Sequence, residues 1–307
     1  MIQGLLFLLI AVAANGFKGY CGKLTGKTVA NESDAVYVYA VRMLITAAIS
    51  LAAAGATGAF GSISSVRGET LFMALVCGAC LAIDVVFWLL CVRGEAYLLV
   101  SVAGNVSLVV TLILCRLFYG DEIGIVRWIG VALLVVAGYL MMGYNESLNG
   151  KLKVRDKVNL AVMILSGGAY EFLSGKVYAA VGSGDGNAAY QFWTYLFAFA
   201  FLAAMVLVLV VFYKPFRFFE TAVKMKNAYL PVALLSVLMF VTSFFKAEAS
   251  VRLPSTALYP LNVGGGLLFS VGVAWFLHEK PDKRCAVGML LVFASLILIN
   301  FVPQLLP

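Results

Sequence analysis

Gly16-Phe17-Lys18-Gly19-Tyr20-Cys21-Gly22-Lys23-Leu24, near the start of the chain, is echoed at its middle by Ala169-Tyr170-Glu171-Phe172-Leu173-Ser174-Gly175-Lys176-Val177. Aromatic, small and basic residues recur in register, while Lys18 gives way to Glu171 at the matching position. Further along, Asn105-Val106 is followed by Glu122 and Asn262-Val263 by Glu279, after the same interval in both copies. An apolar chain that repeats itself once has the signature of a duplicated membrane bundle. An odd number of spans per copy would set the copies upside down relative to one another, so the span count decides the architecture.

The 307 residues are 63% apolar and 12% charged, with a mean hydropathy of +0.99. Soluble domains average roughly 45–50% apolar and about 25% charged residues, which excludes a water-soluble core. A bilayer-spanning helix needs about 20 mainly apolar residues. Ten segments qualify: 2–22, 34–56, 69–92, 96–117, 124–145, 158–180, 187–212, 228–249, 255–277 and 284–303. The expected fold is therefore all-α, a polytopic membrane protein of ten transmembrane helices in two inverted five-helix repeats. The repeats span 1–146 and 158–307, joined by a basic loop at 147–157. Connections are short and leave no room for a separate soluble domain.

The first segment could be mistaken for a secretory signal, since Ala11-Val12-Ala13 resembles a cleavage site. Met1-Ile2-Gln3 lacks the positive start such a signal needs, and the segment has a copy at 158–180. Net charge +7 suits basic cytoplasmic loops and does not point to nucleic acid. The stretch Lys214 to Lys226, with Phe216, Phe218 and Phe219 among its charges, reads as an interfacial segment. Six cysteines fall in or at the ends of spans, and Cys77 and Cys80 form a C-x-x-C in an apolar helix. With His278 the single histidine, packing explains them better than a metal or redox site. The side holding the odd-numbered loops carries more than twice as many Lys and Arg as the other, which by the positive-inside rule makes it cytoplasmic with both termini outside.

A charge at the centre of a spanning helix costs roughly 2.5–3.5 kcal/mol on insertion scales, so each needs a physical account. Lys18, Arg42 and Asp84 fall about a third of the bilayer deep from the basic side, and Glu171 lies in the opposite half. Asp84 could form an internal ion pair with Arg42 or Lys18. Glu171 could bind a proton or a cation, or pair with Lys246 or Lys176. Asn15 shares a helix face with Lys18. Asn105 and Asn262 are repeat-related and mid-span, serving either as interhelical glue or as a symmetric binding site. Trp88 stands one turn after Asp84, Tyr170 adjoins Glu171, Trp193 lies early in the seventh span, and Tyr259 shares a face with Asn262. Aromatics beside buried carboxylates are what an organic-cation pocket requires. Asn15, Lys18, Asp84, Trp88, Asn105, Tyr170, Glu171, Trp193, Tyr259 and Asn262 are thus the expected solute-binding residues, with Arg42 in an ion pair. Pro260 and Gly264-Gly265-Gly266 mark the ninth span as the expected hinge.

Tyr119-Gly120-Asp121-Glu122 followed by Trp128-Ile129-Gly130, and Leu277-His278-Glu279 followed by Val287-Gly288, resemble the glutamate–glycine pattern that closes each repeat of the drug/metabolite transporter superfamily, EamA-like branch. Asn15-Gly16-Phe17 is similar to the start of that family's first span, although Ala13 stands where tryptophan is common. Arg42 resembles its arginine early in the second span. The resemblance covers essentially the whole chain. It implies a secondary transporter with alternating access, the fifth and tenth spans acting as scaffold. It also implies cytoplasmic termini, opposite to the charge count.

The expected function is secondary active transport of a small polar metabolite (an amine, an amino acid or a similar solute), with a proton as a candidate coupling ion. The alternative is a carrier of quaternary amines, and a more remote one a membrane-embedded enzyme, for which one histidine is a poor catalytic set. No G-x-x-x-x-G-K-[ST] loop is present to energise transport by nucleotide. The implied partners are a small-molecule solute and the lipid bilayer of a bacterial cytoplasmic membrane, without nucleic acid or cofactor, and a homodimer stays open.

Overall fold

A computed structural model of the chain describes residues 2–56, 58–121, 124–213, 215–253, 255–277 and 282–300, and within them every side chain except those at 148, 255–257, 259, 260, 263, 264, 267, 268, 299 and 300. Among the described residues there is no strand. The helices are α1 (Ile2–Gly26), α2 (Glu32–Ala56), α3 (Phe60–Ser64), α4 (Gly68–Gly94), α5 (Tyr97–Tyr119), α6 (Ile125–Asn149), α7 (Val154–Phe172), α8 (Asn187–Phe212), α9 (Phe218–Lys224), α10 (Tyr229–Arg252), α11 (Ser255–Phe276) and α12 (Lys283–Asn300).

Seven helical stretches are long and apolar enough to cross a membrane: 2–26, 32–56, 68–94, 97–119, 125–147, 187–212 and 218–252. The other three expected spans are helical but do not meet that test among the described residues. α7 opens on Arg155, Asp156 and Lys157, carries Glu171, and widens into a π-helix at Leu173–Gly182. Parts of the segments around α11 and α12 lie outside the described residues. The outward surface is apolar, with Phe212 80% and Trp275 77% exposed, as lipid contact rather than water requires.

Local chemistry sets the helix ends. The Asn31 side chain accepts the backbone N–H of Asp34 at the start of α2 (2.8 Å), and Asp282 accepts that of Cys285 at the start of α12 (2.8 Å). α5 stops at Gly120, whose φ of +68° is a left-handed cap. The aromatic-basic stretch at Phe218–Lys224 forms its own short helix before α10, with Phe219 82% exposed. α3 was not anticipated.

The main packed pairs are α1–α10, α2–α8, α4–α7, α4–α8, α5–α7, α1–α11 and α6–α12. Small residues bring the backbones together, as in membranes generally. At Gly78 of α4 an added Cβ would lie 2.7 Å from the Thr194 carbonyl oxygen and 2.9 Å from the Ala198 nitrogen of α8. Those are backbone atoms, so no rotamer change relieves the clash.

Between α4 and α5, Glu95 is 8% exposed and ties several helix ends together. Its carboxylate accepts from Asn145 Nδ2 at 2.5 Å, its carbonyl accepts from Lys23 Nζ at 2.9 Å, and Asn145 Oδ1 accepts the Ala96 N–H at 2.7 Å. Burial holds the Glu95 carboxyl above the usual carboxylate range, Asp156 pushes it the same way, and Asn145 and Lys23 oppose them. A carboxyl raised on folding binds its proton more tightly in the native state. Stability is therefore greatest at low pH and falls as pH rises through the folded value.

Two outcomes follow for thermal unfolding in detergent. Gly78→Val should cost about 1–3 kcal/mol, as overpacking does, whereas Gly55→Ala, with nothing within 4 Å of the new methyl, should be neutral or gain up to about 1 kcal/mol; equal melting temperatures would disprove the close α4–α8 approach. Glu95→Gln should flatten the loss of stability on the rising-pH limb, and an unchanged pH profile would show that Glu95 does not titrate above its ordinary range.

Candidate functional site

A cavity of about 180 Å³ lies among α1, α2, α4, α5, α7, α10 and α11. α6 and α12 pack on each other outside it: the Ser295 hydroxyl donates to the Gly130 carbonyl (2.6 Å), and Gly288 sits against Met141. The structure brings eight of the ten expected residues to this cavity: Asn15 and Lys18 from α1, Asp84 and Trp88 from α4, Asn105 from α5, Tyr170 and Glu171 from α7, and Asn262 from α11. Arg42 joins them from α2.

Glycines make the space. A Cβ on Gly167 would lie 2.9 Å from Asp84 Oδ1, one on Gly19 would overlap the Tyr97 hydroxyl, and one on Gly22 would overlap the Trp88 ring. The lining is polar beyond the charges. Ser101 of α5 donates to Ser270 of α11 (2.6 Å), Thr111 of α5 donates to the Gly168 carbonyl of α7 (3.0 Å), and the Tyr170 and Ser243 hydroxyls bond each other (3.0 Å).

Five charged side chains face this space. Lys246, 2% exposed, pairs with Glu171 at 3.0 Å, donates to the Ser174 hydroxyl at 2.9 Å, and stands 5.0 Å from the centre of the Tyr170 ring. Glu171 is therefore not a lone carboxylate: the pair with Lys246 is formed, and Lys176 bonds Asp121 instead at 2.8 Å. The Asp84 ion pair departs from expectation. Among the described residues no hydrogen bond or ion pair within 4 Å joins Asp84 to Lys18 or Arg42, although all three line the same cavity. Arg42 is 2% exposed with its guanidinium 4.8 Å from the centre of the Tyr39 ring, and its Nε has no hydrogen-bond partner. Each asparagine, 6% exposed, also keeps one polar atom unmatched: Nδ2 of Asn105 and Oδ1 of Asn262. Buried polar groups are usually satisfied; six further side-chain atoms among the described residues, none of them in this lining, are likewise unmatched.

Trp193 is elsewhere. Its indole N–H donates to the Ile63 carbonyl of α3 (3.0 Å) and its ring stacks on Phe197. α3, which no apolar pattern announced, captures it. The Tyr259 side chain lies outside the described residues, as do Glu122 and Glu279. The ninth-span hinge is not seen as a break: α11 runs as one helix from Ser255 to Phe276. The irregular backbone lies in α7, whose π-helix begins two residues after Glu171. π-Helical turns are rare and concentrate at functional sites. Lys246, Thr242, Ser243, Ser101 and Ser270 were not singled out as lining residues. For Lys246 a signal existed, a lysine between Phe245 and Ala247 in an apolar run.

No family model matches the chain, and no curated protein does. Among solved structures it is similar to a protein described only as "Crystal structure of protein", with a TM-score of 0.67 and 14% identity over 100% of both chains. The fold is shared. At that identity the likeness carries no function.

A double-mutant cycle tests the central pair. Glu171→Gln alone removes the carboxylate from the buried Lys246 ammonium, and Lys246→Met alone removes the ammonium from the carboxylate. Each should cost several kcal/mol, with the double variant recovering about 1–3 kcal/mol of their sum. Additive losses in thermal or chemical unfolding would show that the two groups do not interact.

Proposed function

We propose that the chain is a secondary transporter that carries a small polar solute through this cavity by alternating access. It crosses the membrane ten times as two inverted five-helix repeats, 1–146 and 158–307, and so resembles the drug/metabolite transporter superfamily. The observation that carries the proposal is a polar cavity lined by Lys18, Arg42, Asp84, Glu171 and Lys246 inside an apolar bundle. Ionisable groups are expensive there and mark solute or ion paths.

Packing supports the repeat. Exchange α1, α2, α4, α5 and α6 with α7, α8, α10, α11 and α12 in order. The pair α1–α10 then becomes α7–α4, α1–α11 becomes α7–α5, and α2–α10 becomes α8–α4, while α2–α8, α5–α11 and α6–α12 map onto themselves; all are packed pairs. A two-fold relation of this kind is what transporters of inverted repeats use to rock one half on the other.

Ion pairs between the halves give the motion two gates. The first turns of α2 and α7 meet through Glu32–Arg155 (2.9 Å), and Asp34 pairs with Lys224 (2.7 Å). Towards the far end of the α7 segment, Lys176 holds Asp121 (2.8 Å), and Asp185 just beyond holds Arg67 (3.0 Å). Opening to one face breaks one set and leaves the other. The Glu32–Arg155 pair, exposed on both sides, is worth up to about 1 kcal/mol and is weak enough to open and close thermally, whereas Asp34 and Asp185 are largely buried.

Proteoliposomes test the proposal. Flux of a small polar solute should be saturable, need no ATP, and be lost in Gly167→Leu, which fills the space beside Asp84, while Gly55→Ala keeps it. Flux that is linear in concentration, or unaffected by Gly167→Leu, would remove this cavity as the path.

A further inference from the structure

The charges of the cavity do not cancel, and the remainder selects a solute. Lys18 of α1 corresponds to Glu171 of α7 in the repeated motif. Asp84 of α4 and Lys246 of α10 sit at closely matching depths in the third long helix of each half. The repeat thus generates two cations and two anions, a neutral set. Arg42 has no counterpart, because α8, the helix matching α2, carries no Asp, Glu, Lys or Arg. α11 carries none either. The lining therefore holds three cations and two anions.

Arg42 is held where that surplus can be used. It is 2% exposed, borders the cavity, has its guanidinium carbon 4.8 Å from the centre of the Tyr39 ring, and leaves its Nε–H without an acceptor. A guanidinium fork matches a carboxylate with two parallel N–H···O bonds. A buried cation without an anion is costly, so an arrangement that keeps one is completed when an anion arrives. Lys18, on the same cavity, adds a second positive group. Asn105 and Asn262 also line the cavity and carry the amide groups for the polar part of the same molecule.

We infer that the cavity binds a small organic carboxylate of net charge minus one, its carboxylate on Arg42 and Lys18 and its hydroxyl or amide groups on Asn105 and Asn262. The inference rests on the transport proposal for its biological meaning, but the binding site stands on the charges alone. It excludes the organic-cation alternative, which needs a surplus of carboxylate. A phosphate monoester shares the oxyanion chemistry but brings nearly two charges at neutral pH, one more than the lining can neutralise.

The test is thermal unfolding of the purified full chain in detergent with lactate, glycerol phosphate and choline, each well above millimolar, supplemented by other small monocarboxylates. Lactate or another monocarboxylate should raise the melting temperature by a few degrees, choline should not, and glycerol phosphate should do less. The monocarboxylate shift should vanish in Arg42→Gln, persist in Gly55→Ala, whose new methyl meets nothing within 4 Å, and grow in Asp84→Asn, which removes an anion from the lining and leaves Arg42 in place. Stabilisation by choline that Asp84→Asn abolishes would overturn the inference. So would a monocarboxylate shift that survives Arg42→Gln, a larger shift with glycerol phosphate, or no shift with any monocarboxylate. Should Arg42→Gln fail to fold, the Asp84→Asn comparison of monocarboxylate with choline still decides the sign of the site. Carboxylate binding without flux in proteoliposomes would leave the anion site and remove the carrier; choline flux without any carboxylate effect would do the reverse.

Discussion

The structure is organised around one electrostatic constraint. Five full charges sit in a bundle whose outer face is hydrocarbon-like, and none can be left in contact with lipid. They are gathered on a shared cavity instead, where Lys246 and Glu171 neutralise each other at 3.0 Å. Ser174 and the Tyr170 ring take up the remaining field of the ammonium. Lys18, Asp84 and Arg42 face the same space without closing on one another. Everything else in the middle of the bundle, from the glycines that clear room to the serine and threonine bonds between α5, α7 and α11, keeps that space polar and open.

Close packing is the other side of the same constraint. A cavity weakens a bundle, since the atoms around it lose neighbours. The helices around this one compensate where they meet elsewhere, through glycines such as Gly78 and Gly168 that let backbones touch. α6 and α12 bring no charge to the cavity and pack on each other away from it. Neither helix contributes a residue to the lining.

Much of this was legible in the sequence, and what was not has a physical cause. Lys18, Asp84 and Glu171 stood out because charge is rare in such segments, and Asn105 and Asn262 because the repeat matched them. Lys246 was read only as a partner for Glu171 near the end of a span at 228–249, whereas α10 continues to Arg252 and sets the lysine further from the helix end. Trp193 is fixed by a carbonyl on the five-residue helix α3, which no sequence pattern announced. The Asp84 ion pair was expected from depth alone. Depth along a helix does not say which way a side chain turns, and Asp84 turns towards Gly167 on α7.

The proposed repeat pairs the charged residues of the two halves. Under the exchange of halves, the Lys246–Glu171 contact corresponds to Asp84–Lys18. One is a bridge and the other is not, although both involve a lysine and a carboxylate on packed or neighbouring helices. Arg42, which has no charged counterpart on α8, lines the same cavity as Lys18 and Asp84. A symmetric sequence would have two equal bridges and no preference for any solute charge. One arginine without a charged counterpart on α8 leaves this lining with three cations and two anions.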